Sequence, residues 1–131
     1  MTHCATWWSI YASNYTMIYS FYSATGVFTD DKMVICGGGW PSKSVCFSYS
    51  DDDQGWIKLA DTDVDRYDSS SVPISDGILV TGGNVESDHN LSGNVLKTSE
   101  IVKLNGTIKP GKSLPRKRDG HCMVEYEGYS D

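Results

Sequence analysis

The feature that most constrains this chain is an internal repeat. Residues 22–38 align without gaps to residues 67–83, an offset of 45 positions. Tyr22 and Tyr67, Val27 and Val72, Asp31 and Asp76, and the closing pairs Gly37-Gly38 and Gly82-Gly83 are identical between the copies. A third start lies at Arg118-Asp-Gly-His-Cys-Met-Val124, which matches Arg66-Tyr-Asp-Ser-Ser-Ser-Val72 at an offset of 52. Self-similarity at this period marks stacked units, each of which buries its faces only against its neighbours.

Each unit reads as short strands joined by turns. Residues 33–36 and 78–81 are apolar runs with β-branched content, preceded by the turn pairs Asp31-Lys32 and Asp76-Gly77. Such pairs predict tight hairpins with the strand before them. The glycines that close each run permit positive φ and close backbone approach. Further strands are expected at 45–49 and 100–104. After a turn at 50–55 or Asn105-Gly106, a fourth is expected at 56–59, with a weaker counterpart at Thr107-Ile108. Four strands in about 50 residues is the arithmetic of a propeller blade. No segment combines a sustained helical period with capping residues, so almost no helix is expected.

The first 23 residues contain no Lys or Arg. They lack the basic start and unbroken apolar middle of a secretory signal peptide. Tyr15, Met17, Tyr19 and Phe21 alternate with their neighbours as in a strand with aromatics on one side. Residues 1–21 therefore read as an aromatic strand segment ending a preceding blade. Residues 22–131 read as repeats of about 22–66 and 67–117, with a partial one at 118–131.

From the strand, Gly-Gly, variable loop, strand, Trp56, Leu59 and Arg66 of the first copy, the chain resembles the kelch repeat. The second copy supplies Gly82-Gly83, Thr98-Ser-Glu-Ile101, Leu114-Pro115, Arg118 and His121. The resemblance covers residues 22–131. It departs from the pattern at Thr107, where a Trp would stand, and in having no Arg before Tyr22. It implies an all-β fold: antiparallel four-stranded blades of a kelch-type β-propeller whose loops bind partner proteins. Gly37, Gly38, Gly82, Gly83, Trp56, Arg66, Arg118 and His121 would be its structural repeat residues. The material amounts to about 2–3 blades, whereas a closed ring takes about 4–8. An open, incomplete propeller is therefore expected, a fragment or else a subunit that completes a ring by association.

Composition narrows the function classes. With 11 Lys and Arg against 17 Asp and Glu, the chain of 131 residues carries a formal charge of −6. That argues against nucleic-acid binding, which needs a basic stripe. No apolar run approaches the roughly 18 residues of a membrane-spanning helix.

Cys36 ends one predicted strand and Cys46 lies early in the next. If those strands are antiparallel neighbours, a bridge is reasonable; the other reading is two buried thiols. Cys4 and Cys122 have no evident partners. Sequons occur at Asn14, Asn90 and Asn105, the last two in predicted loops. Together with the bridge they point to an extracellular, secreted protein; the alternative is cytoplasmic.

The alternating carboxylates Asp61, Asp63 and Asp65 begin like a calcium loop, but Arg66 and Val72 stand where Gly and Glu are needed, so a solvated acidic loop is expected. Lys109, Lys112, Arg116, Lys117 and Arg118 form a basic patch. Gly37-Gly38-Gly39 is not read as a phosphate loop, because no helix is expected to follow it.

No catalytic constellation stands out among His3, His89, His121 and the carboxylates. The expected function is protein–protein interaction through the blade loops, with an unidentified protein partner, no cofactor and no catalysis. The alternative is a fragment of a secreted enzyme resembling the copper radical oxidases related to galactose oxidase, which need Tyr and His ligands and a Cys–Tyr cross-link.

Overall fold

The computed structural model describes residues 24–38, 44–50, 52, 55–87 and 90–124. Ten strands run through them: β1 Thr25–Thr29, β2 Lys32–Cys36, β3 Val45–Tyr49, β4 Ile57–Asp61, β5 Ser70–Ile74, β6 Gly77–Thr81, β7 Asn84–Ser87, β8 Asn90–Val95, β9 Ser99–Lys103 and β10 Ile108–Pro110. Among the described residues there is no helix. The strands form two four-stranded antiparallel sheets, ordered β1-β2-β3-β4 and β10-β9-β6-β5, and a separate hairpin of β7 and β8.

The turns explain the pairing. β1 and β2 register as Thr29 opposite Lys32, which leaves Asp30-Asp31 as a two-residue turn. Both residues have positive φ, 48° and 61°, the twist that suits a hairpin. In the second sheet Ile74 opposes Gly77, so the turn is Ser75-Asp76, with Asp76 at φ 62°. Both turns fall one residue earlier than the sequence suggested. Asp tolerates the left-handed region through its short polar side chain. Gly77, freed from the turn, serves a different need. It opposes Lys103 of β9, and a Cβ there would run into the Val102 carbonyl oxygen.

Pro73 and Pro110 both lie in outermost strands, β5 and β10. An edge is where a residue without an N–H costs least.

The sequence did not foresee the β7–β8 hairpin. It leaves the second sheet directly after Gly82-Gly83 and returns to β9. Alternation within it is weak, and Asn90, expected in a loop, instead begins β8 opposite Ser87.

The core lies between the two sheets. Strand alternation puts Val27, Val34, Cys36, Cys46 and Ala60 on one face of the first sheet. Ile78, Val80 and Val102 line the facing side of the second, and together they form one buried cluster. Strand β1 packs beside β5 and β6, and the Thr25 and Ser71 hydroxyls bond across the gap at 2.7 Å. Burying a side chain such as Ile78 or Val34, each fully inaccessible, contributes roughly 1.5–3 kcal/mol. The seam is thus the main apolar source of stability for both sheets.

Candidate functional site

Of the sequence-predicted repeat residues, the glycine pairs and Arg66 tie successive units together. Gly37 donates its N–H to the Val45 carbonyl at 3.0 Å, and Gly38 donates to the Arg66 carbonyl at 2.6 Å. The second copy repeats this arrangement. Gly82 donates to the Thr98 carbonyl at 2.9 Å and Gly83 to the Arg118 carbonyl at 2.8 Å. Each glycine pair therefore ties the close of one strand to the chain entering the next unit. The conformation needs glycine: Gly38 and Gly83 sit at φ 85° and 89°, with Ala24 and Tyr67 backbone atoms 2.7 Å from where a Cβ would be.

Arg66 is 2% exposed, and its guanidinium fills the seam. Nε donates to Glu100 Oε2 at 2.8 Å; Nη1 donates to the carbonyls of Gly82 and Thr98 at 2.8 and 2.9 Å; Nη2 donates to Thr98 Oγ1 at 3.0 Å. The other carboxylate oxygen of Glu100 accepts the Asp63 N–H at 2.7 Å. A buried charge is tolerable only with such complete pairing. The sequence placed Thr98 and Glu100 in the repeat pattern, but gave neither them nor Thr81 a role at the seam. Glu100 carried a signal, being the one carboxylate in the strand Ser99–Lys103.

Arg118 and His121 belong to the segment that follows the second sheet. His121 Nε2 lies 2.8 Å from Thr81 Oγ1, while its Nδ1 is buried with no hydrogen-bond partner among the described residues. Its Cε1 lies 2.8 Å from where a Gly82 Cβ would stand. Burial, and then the neighbouring Arg118, pull the His121 imidazole below its ordinary value of 6.5, against an opposing pull from Asp119. The Asp119 carboxylate accepts a bond from the Asn84 side chain at the base of the hairpin.

The remaining expected residues lie elsewhere. Cys36 and Cys46 are directly opposite in register and form a disulfide inside the core. Cys122, expected to lack a partner, is also disulfide-bonded. Trp56 stands apart from the seam, its ring 5.4 Å from that of Tyr49. Asn105 is exposed in the turn between β9 and β10, where its Oδ1 accepts the Thr107 N–H at 3.0 Å. Asn14, Cys4, His3, His89, Gly39 and the aromatic segment 1–21 lie outside the described residues. Of the alternating carboxylates, Asp61 accepts from Lys58 Nζ at 2.8 Å. Among the described residues no group of three or more His, Cys, Asp or Glu is placed to hold a metal ion. No helix there is long and apolar enough to cross a membrane.

An open cleft of about 380 Å³ lies at one end of the second sheet, lined by Asp76, Lys103, Leu104, Asn105, Thr107 and Lys109. Lys103 Nζ donates to the Ser75 carbonyl beside it at 3.1 Å.

Two successive antiparallel four-stranded sheets, packed face to face and joined by the same glycine bonds, define a β-propeller-like fold. Comparison with solved structures agrees. YjhT, a kelch-type propeller protein, superposes with a TM-score of 0.72 at 19% identity, over 85% of this chain and 33% of that one. The chain thus spans about a third of the length of YjhT. No family model and no curated protein sequence matches the chain.

Proposed function

We propose that this chain is part of a kelch-type β-propeller that binds partner proteins through the loops of its blades and carries no catalysis of its own. Residues 22–66, 67–117 and 118–131 are successive repeats in this reading, and 1–21 closes a preceding blade. The observation that carries it is the contrast between seam and loops. The glycine-to-Arg66 and glycine-to-Arg118 bonds recur between units. The excursions between strands do not: the second unit extends β7 and β8 after its glycine pair, and closes β9–β10 with a tight turn where the first spans residues 50–56. A rigid scaffold with variable loops is the usual arrangement of a binding surface. The buried disulfide fits an oxidising, extracellular compartment, and exposed Asn105 would then be a glycan acceptor.

The test is site-specific photo-crosslinking from loop positions 75, 105 and 107 in the protein's native extract. Crosslinks that recur at these sites and are absent from core positions support the reading. Stoichiometric copper binding with hydrogen peroxide formed from small alcohols or aldehydes would overturn it in favour of an oxidase.

A further inference from the structure

The cations of this acidic chain are not spread over it. Residues 97–118 hold seven of the 11 Lys and Arg but one of the 17 Asp and Glu. Seven cations less one carboxylate leave that segment at +6. Four cations less sixteen carboxylates leave the rest at −12. The single carboxylate, Glu100, is buried on Arg66 and offers nothing to the surface.

The segment folds into one continuous strip. Lys109 opposes Ile101 in register. Beyond β10, Gly111 donates to the Ser99 carbonyl at 3.0 Å, Leu114 to the Lys97 carbonyl at 2.7 Å, and Arg118 to the Leu96 carbonyl at 3.0 Å. Residues 108–118 are thereby laid along 96–102 at the outer edge of the second sheet. Lys97, Lys109, Lys112, Arg116, Lys117 and Arg118 are all exposed. At one end the strip runs into the 380 Å³ cleft, which Lys103 and Lys109 line together with Asp76, Leu104, Asn105 and Thr107.

We infer that this edge of the second blade docks an acidic segment of a partner protein, with carboxylates along the strip of exposed cations. Unpaired cations of one sign steer and select an opposite charge. Three observations favour a polypeptide over other polyanions. Residues 97–118 contain no aromatic side chain on which bases could stack. Half-buried Leu114 and exposed Pro110 and Pro115 are interspersed among the cations, which suits mixed acidic and apolar side chains. The −12 remainder repels any dense polyanion longer than the strip. Backbone pairing is not the means of attachment, because Pro110 interrupts the donors of the edge strand.

The inference rests on the interaction-module reading and narrows it, and its test is separate. Fluorescence anisotropy of labelled decaglutamate is measured with the whole chain at low and physiological salt. Saturable binding that weakens with salt is expected. Lys112→Glu with Lys117→Glu should weaken it about tenfold or more, and Lys112→Gln with Lys117→Gln by a smaller factor, while Lys58→Glu on the first blade changes it less than about twofold. Unchanged urea midpoints confirm that the variants fold. Absence of saturable binding, equal losses in the strip and Lys58 variants, or tighter binding of a heparin oligosaccharide or an oligonucleotide than of decaglutamate overturns the inference. Loop crosslinks without decaglutamate binding would leave the module standing and remove the strip.

Discussion

The two blades share a backbone plan and differ in how they hold it. At the position after the second strand, the first blade pairs Cys36 with Cys46 as a covalent bridge. The second pairs Thr81 with Ser99 in the same register. Each of those hydroxyls works beyond its own sheet: Thr81 meets His121, and Ser99 donates to the Lys112 carbonyl at 2.7 Å. One step further, Phe47 in the first blade occupies the register position that Glu100 holds in the second. The same backbone position thus carries a buried aromatic side chain in one sheet and a charge paired with Arg66 in the other.

The most damaging way to break this comparison is to leave half of the charged solution in place. Arg66→Met should destabilise by about 3–5 kcal/mol, because Glu100 is then a buried charge without its cation. Adding Glu100→Leu should recover most of that loss. Urea unfolding of both variants gives the coupling, and equal losses in the single and double variants would refute it. Giving the first blade the second blade's residues, Cys36→Thr with Cys46→Ser, removes a link between positions ten apart. It should cost about 2–3 kcal/mol by the same assay. Gly77→Ala should cost about 1–3 kcal/mol by forcing β6 off Val102. Its counterpart in the first blade, Lys32→Ala, should stay within about 0.5 kcal/mol. Lys32 carries a Cβ already and lies one position before the β2–β3 register begins at Met33.

The smallest effect concerns pH. The folded-state value of His121 lies below its ordinary 6.5, so on acidification the unfolded chain takes the proton first. Its contribution is complete above about pH 6.5, falls as pH drops below that, and levels off under the folded value. Urea midpoints at pH 7.5 and 5.5 should therefore differ more in the wild type than in His121→Gln. An equal difference would detach the slope from this residue.

Strand placement was legible because its determinants are local. Period-two alternation, Asp-containing turns and Gly-Gly closures each act within a few residues, and β3 falls on the expected span. The turns were misplaced by one residue because Gly77 reads as a turn glycine, although its constraint comes from Val102, 25 positions away. The Arg66–Glu100 pair escaped notice for the same reason. Its partners are 34 residues apart, and the hydropathy of β9 does not reveal which face meets a guanidinium. The β7–β8 hairpin has polar alternation too weak to separate it from a loop. The cleft at Lys103 and Lys109 exists only once β10 folds back on β9.

The Arg66–Glu100 pair also bears on how such a chain can change over generations. Forty-five positions before Arg66 the sequence has Phe21, and the site equivalent to Glu100 is Phe47. Both members of the pair thus differ together between repeats. A single substitution from the charged state strands a buried charge, so the pair is expected to change together. Copies made by duplication cannot then be exchanged freely, because each carries half of a match whose other half lies in its neighbour. Successive units become distinguishable partners rather than interchangeable parts.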